Sequence, residues 1–64
     1  MAENRASKLL RLSDVITLTG MKRSWVLSET KDGNFPKPLP LGGRSIAWRE
    51  QEIVDWIDAR PTAD

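Results

Sequence analysis

The apolar positions along this chain switch between two spacings. Lys8-Leu9-Leu10-Arg11-Leu12 alternates imperfectly and fits one short strand. From Ser13 the spacing turns helical. Val15, Ile16 and Leu18 make an apolar stripe, Ser13 is a good N-cap, and Asp14 puts a negative charge in the first turn, where it suits the helix dipole. Gly20 stands where a terminating glycine belongs, so the first helix is predicted over roughly 13–19. Gly20-Met21-Lys22 makes a three-residue turn. A second helix is predicted over Arg23–Lys31, with Gly33 as its stop signal. Lys22 or Arg23 falls at its cap, and Ser24 is the only good capping side chain nearby.

Strand spacing returns in Phe35–Trp48, FPKPLPLGGRSIAW. Two extended runs flank a turn at Gly42-Gly43, because glycine supplies the positive φ that tight hairpins demand. Pro36, Pro38 and Pro40 have no N–H to donate, which makes the first run an edge strand. Ser45-Ile46-Ala47-Trp48 alternates and puts Ile46 and Trp48 on one face. Arg49–Arg60 is predicted as a third helix. Ile53, Trp56 and Ile57 share a face with Val54 beside them, and Glu50 and Glu52 sit in its first turn. Pro61 stops it.

Sixty-four residues make one domain, with an arm over 1–8, a folded body over 9–60 and a tail over 61–64. Such a chain buries only about 60% of its unfolded surface. It has no cysteine and no histidine, which excludes a disulfide and leaves a zinc site no ligands of the usual kind. Three Trp are a heavy apolar content for this length. No apolar run approaches the roughly 20 residues of a membrane span, and no signal-peptide pattern occurs, so the expected compartment is the cytoplasm.

The net charge of +1 conceals a polarity. Lys22, Arg23, Lys31, Lys37, Arg44 and Arg49 face only Glu29 and Asp32 in residues 20–49. Glu50, Glu52, Asp55, Asp58 and Asp64 face only Arg60 after that. A basic middle is the electrostatic footprint of a polyanion partner, although charge segregation alone is common in small proteins.

Two helices joined by a tight glycine turn form a helix-turn-helix pattern, whose second helix enters the DNA major groove; the bland alternative is a plain helical hairpin. A β-hairpin following it makes a winged helix, so the predicted fold class is a small α+β winged helix-turn-helix of about three helices and a two-stranded wing. Arg44 beside Gly43 at the wing tip is chemically apt for phosphate or a narrow minor groove; otherwise it is a solvated turn residue.

The residues that carry this pattern are specific. Phe35-Pro36-Lys37-Pro38, Leu41-Gly42-Gly43-Arg44, Ala47-Trp48-Arg49-Glu50 and Trp56-Ile57, together with LLRLSDVITLTGMKRSWV, resemble the AlpA-like phage and prophage regulators, small relatives of the excisionase group. The resemblance runs from about Leu9 to Ile57. It implies a winged-helix DNA-binding protein that regulates genes of a mobile element, serves as a recombination directionality factor for a tyrosine-type integrase, or does both. The second helix departs from the pattern. Typical members read S-R-S-T-I-Y-R there; Arg23 and Ser24 match, while Lys22 replaces a capping serine, Trp25 a threonine and Ser28 a basic residue. Glu29 and Thr30 stand where apolar residues are common.

The expected contacts follow. Arg23, Ser24 and Ser28 face the major groove, with Arg23 aimed at guanine O6/N7 or a phosphate. Lys22, Lys31, Lys37 and Arg44, with Gly43 at the tip, meet the sugar-phosphate backbone. Trp25 is a base or thymine-methyl contact, a core residue or a self-association knob. So few contacts bind weakly at physiological salt, which favours several copies packed head to tail on double-stranded DNA. No cofactor, metal, membrane or small-molecule substrate is expected. An enzyme is disfavoured, since Glu52, Asp55 and Asp58 read as a solvated helix face. The remaining rival is a protein-interaction adaptor that holds an integrase or polymerase.

Overall fold

The chain closes around Trp48, the largest side chain of the second alternating run. In the computed structural model, which describes residues 8–63, this indole has no exposed surface and its ring N–H donates to the Pro36 carbonyl at 2.8 Å. Leu10, Val15, Val26, Phe35 and Ile53 complete the buried core, with Leu12, Ile16, Trp25, Ile46, Trp56 and Ile57 packed around it. In chain order the elements are β1 (Leu9–Leu10), α1 (Leu12–Thr19), α2 (Arg23–Lys31), β2 (Leu39–Gly42), β3 (Ser45–Arg49) and α3 (Glu50–Asp58). The small α+β class and the helix-turn-helix followed by a wing are as the spacing predicts.

α1 starts one residue earlier than expected. Arg11, in extended backbone, is the N-cap, and its own N–H donates to Asp14 Oδ2 at 3.0 Å. Asp14 therefore closes the first turn, and Ser13 lies inside the helix rather than capping it. At the other end Gly20 takes φ 75°, and its N–H donates to the Ile16 carbonyl at 2.8 Å. That left-handed residue turns the chain into Met21-Lys22 and sets α2 against α1. α2 keeps the expected bounds. Its N-cap is Lys22, and no side chain caps it; Ser24 falls within the first turn.

The sheet has three strands in the order β1-β3-β2, both pairings antiparallel. Leu9 and Leu10 pair with Arg49 and Trp48, so the early apolar run adds a third strand to the expected two-stranded wing. β2 is an edge strand, as Pro40 within it requires. Leu39 pairs with Ala47, Pro40 with Ile46 and Gly42 with Ser45, leaving Leu41 in a bulge. The turn is Gly43-Arg44, one residue later than the expected Gly42-Gly43, because bulged Gly42 still pairs with Ser45. Strict alternation in β3 also fails at Ala47, which is buried like its neighbour Trp48, while Ile46 is half-buried. α1 and α3 both pack on this strand.

α3 occupies a shorter span than the expected 49–60. Arg49 is its N-cap, and the Glu50 N–H donates to the Lys8 carbonyl at 2.8 Å, so Lys8, expected in the arm, is bonded to the folded body. The remainder of the expected arm lies outside the described residues. Among the described residues no helix is long and apolar enough to cross a membrane.

Candidate nucleic-acid interface

α2 buries Val26 and half-buries Trp25, Glu29 and Thr30. The opposite side is open. Arg23, Leu27 and Lys31 stand in one row at i, i+4 and i+8, and Ser24 and Ser28 stand in the next. All five are exposed. Lys22 is exposed at the N-cap. No acidic residue occupies the first turn of α2, and Lys31 lies in its last. Among the described residues no carboxylate forms an ion pair with Lys22, Arg23, Lys31, Lys37 or Arg44; the pair found joins Arg49 to Glu52 at 3.5 Å.

Trp25 belongs to an aromatic cluster. Its ring meets Phe35 edge to face at 5.9 Å and Trp56 at 6.2 Å, and Phe35 and Trp56 meet at 4.9 Å. The Trp56 ring N–H donates to the Asn34 carbonyl at 3.0 Å, and the Arg60 guanidinium lies 4.7 Å from its ring. These contacts clamp the segment between α2 and β2 onto α3, which fixes how α2 is presented. The open side of Trp25 lines a shallow groove with Gly20, Met21, Lys22, Ser24 and Ser28. Of the three roles expected for Trp25, core packing is thus its main contact within the chain.

Gly43 and Arg44 form the hairpin tip, both exposed, and Gly43 has φ 56°. Lys37 is exposed between Pro36 and Pro38 on the approach to β2. The structure therefore gathers Arg23, Ser24, Ser28 and Lys31 on α2 with Lys22 at its cap, sets Gly43 and Arg44 at the hairpin tip, and leaves Lys37 on the approach to β2. Leu27, outside the expected set, is exposed between Arg23 and Lys31 on the same face.

The model of the Prophage CP4-57 regulatory protein (AlpA) family matches residues 8–61. The DNA-binding transcriptional activator AlpA of Escherichia coli (strain K12) is 38% identical over 66 aligned positions, covering 94% of each chain. An uncharacterized protein of Enterobacteria phage P4, ORF88, is 34% identical over 53 residues; the match takes in 83% of this chain but only 60% of that protein's length. No solved structure matches. With a family model spanning nearly the whole chain and a curated relative covered almost end to end, this chain belongs to the AlpA family of prophage regulatory proteins.

Proposed function

We propose that the protein is a sequence-specific DNA-binding regulator of transcription for a phage, prophage or integrative element, acting in the cytoplasm on nucleoid DNA. The observation that carries the reading is the exposed face of α2, on which no cation is ion-paired among the described residues, held in a helix-turn-helix ahead of a wing. The name of the Escherichia coli relative supports it. An α-helix such as α2, about 10–12 Å across with its side chains, suits a major groove about 12 Å wide. Arg23, Ser24 and Ser28 address base edges. Lys22, Lys31, Lys37 and Arg44 hold phosphates and set the register, and Gly43 keeps the wing tip slim enough to lie on the backbone.

The finer reading is that the same DNA contacts serve excision. A row of copies, basic middle against the acidic Glu52, Asp55 and Asp58 of the next, would present bent DNA to a tyrosine-type integrase. Bending lets the integrase bridge its sites in the excisive arrangement.

Gel-shift titration against the element's promoter and attachment region at low salt tests the first reading, and absence of any shift defeats it. Arg44→Ala is expected to weaken binding about tenfold and to lower the salt slope by about one phosphate contact. Unchanged affinity removes the wing from the interface. The excision role predicts that overproduction yields the empty attachment site by PCR, and its absence leaves a regulator alone.

A further inference from the structure

We propose that Leu27 reads the C5-methyl group of a thymine and so sets part of the base preference of α2. The inference rests on the reading that α2 enters the major groove. Leu27 is 37% exposed and lies outside the set of side chains that pack on the core. Its neighbours along and across the helix face are Arg23, Ser24, Ser28 and Lys31, all exposed and all polar. It is the one apolar side chain in the middle of that face.

The major groove offers one apolar base substituent, the thymine methyl; the other edges present hydrogen-bond donors and acceptors. A leucine side chain satisfies none of those and desolvates them at a cost. Against the methyl it gains the burial of apolar surface on both sides. Trp25 is the other apolar side chain near this face, but its ring is engaged edge-on by Phe35 and Trp56. Val26 has no exposed surface. Leu27 is therefore the residue of α2 placed to make the contact, while the hydroxyls of Ser24 and Ser28 and the guanidinium of Arg23 read polar edges beside it.

The test uses the full chain and a bound DNA fragment in which each thymine is replaced singly by deoxyuridine, which lacks only the methyl. The wild-type protein is expected to lose about fourfold in affinity at one or two positions, the worth of one buried methyl. Leu27→Ala, on an exposed helical site that alanine suits, should bind the thymine and uracil fragments equally, with its melting curve intact. The double-mutant cycle isolates the pair. Wild-type indifference to every replacement overturns the inference while DNA binding stands. A uracil effect that persists in Leu27→Ala also overturns it. Absence of binding to any fragment at low salt overturns the DNA-binding reading and this inference together.

Discussion

α2 and α3 are both nine residues long, yet they are built to opposite ends. α3 turns Ile53, Trp56 and Ile57 inward, places Glu50 and Glu52 at its positive end, and ties its first N–H to Lys8. Each helix fully buries one side chain, but Val26 of α2 has only Trp25 of its helix packed on the core beside it, where Ile53 of α3 has both Trp56 and Ile57. The cap of α2 is a lysine without a capping bond, its first turn has no acid, and Thr30 Oγ1 is buried with no hydrogen-bond partner among the described residues. Each feature lowers the intrinsic stability of α2. The difference separates a helix that holds the fold from one whose outer face stays exposed and is the proposed DNA-contacting surface. α2 is kept in place largely by Trp25 and Val26, that is, by packing onto elements that α3 and Trp48 stabilise.

The largest effect expected from this contrast is Ile53→Ala. The side chain has no exposed surface, and its truncation should destabilise by about 2–5 kcal/mol, much of what so small a domain has. Urea denaturation measures it, and a loss below about 1 kcal/mol would deny α3 its structural role. Next is Trp56→Phe, which removes the bond to the Asn34 carbonyl and weakens the contact with Arg60. A loss of about 1–2 kcal/mol is expected, with DNA affinity falling less than stability. If affinity falls while the melting point holds, Trp56 touches the ligand rather than the clamp.

More of α3 than of the outer face of α2 is legible in the sequence. α1, α3 and the hairpin carry local signals: periodicity, dipole-matched acids, and Gly20 where a left-handed residue is needed. Errors arose where two local signals competed. Ser13 is a better capping side chain than Arg11, but Asp14 reaches back to the Arg11 N–H and moves the start of α1. Two adjacent glycines left the turn ambiguous by one residue, and only the bulge at Leu41 decides it. The pairing of Leu9–Leu10 with β3 is long-range, and alternation alone does not name a partner. The candidate interface was legible as charge and spacing. Leu27 was not, because an exposed leucine acquires meaning only once the buried side of α2 is known.

Thr30→Val probes the burial cost inside α2. Valine has the same shape, and it removes a hydroxyl that finds no partner. A gain of about 1 kcal/mol is expected, seen as a rise in Tm of roughly 4–8 °C, with DNA affinity unchanged because Thr30 lies on the inner side. A loss of stability would mean that the hydroxyl is solvated after all.

Lys22→Ser is the smallest change and divides the two helices most sharply. Lys22 already has the extended backbone of an N-cap, with φ −77° and ψ 159°. A serine there can accept the N–H of Ser24 or Trp25, the second and third residues of the helix, without rearrangement, so stability should rise by about 0.5 kcal/mol. The same change removes a cation from the start of the candidate interface. Affinity for DNA should fall, and the slope of log affinity against log salt should become shallower by about 0.9, one phosphate contact. The two readouts move in opposite directions only if α2 forgoes a cap in favour of a charge. If thermal stability does not rise, the missing cap is not what weakens α2. If the salt slope is unchanged, Lys22 holds no phosphate, and the contrast between a helix kept for folding and one kept for binding loses its electrostatic half.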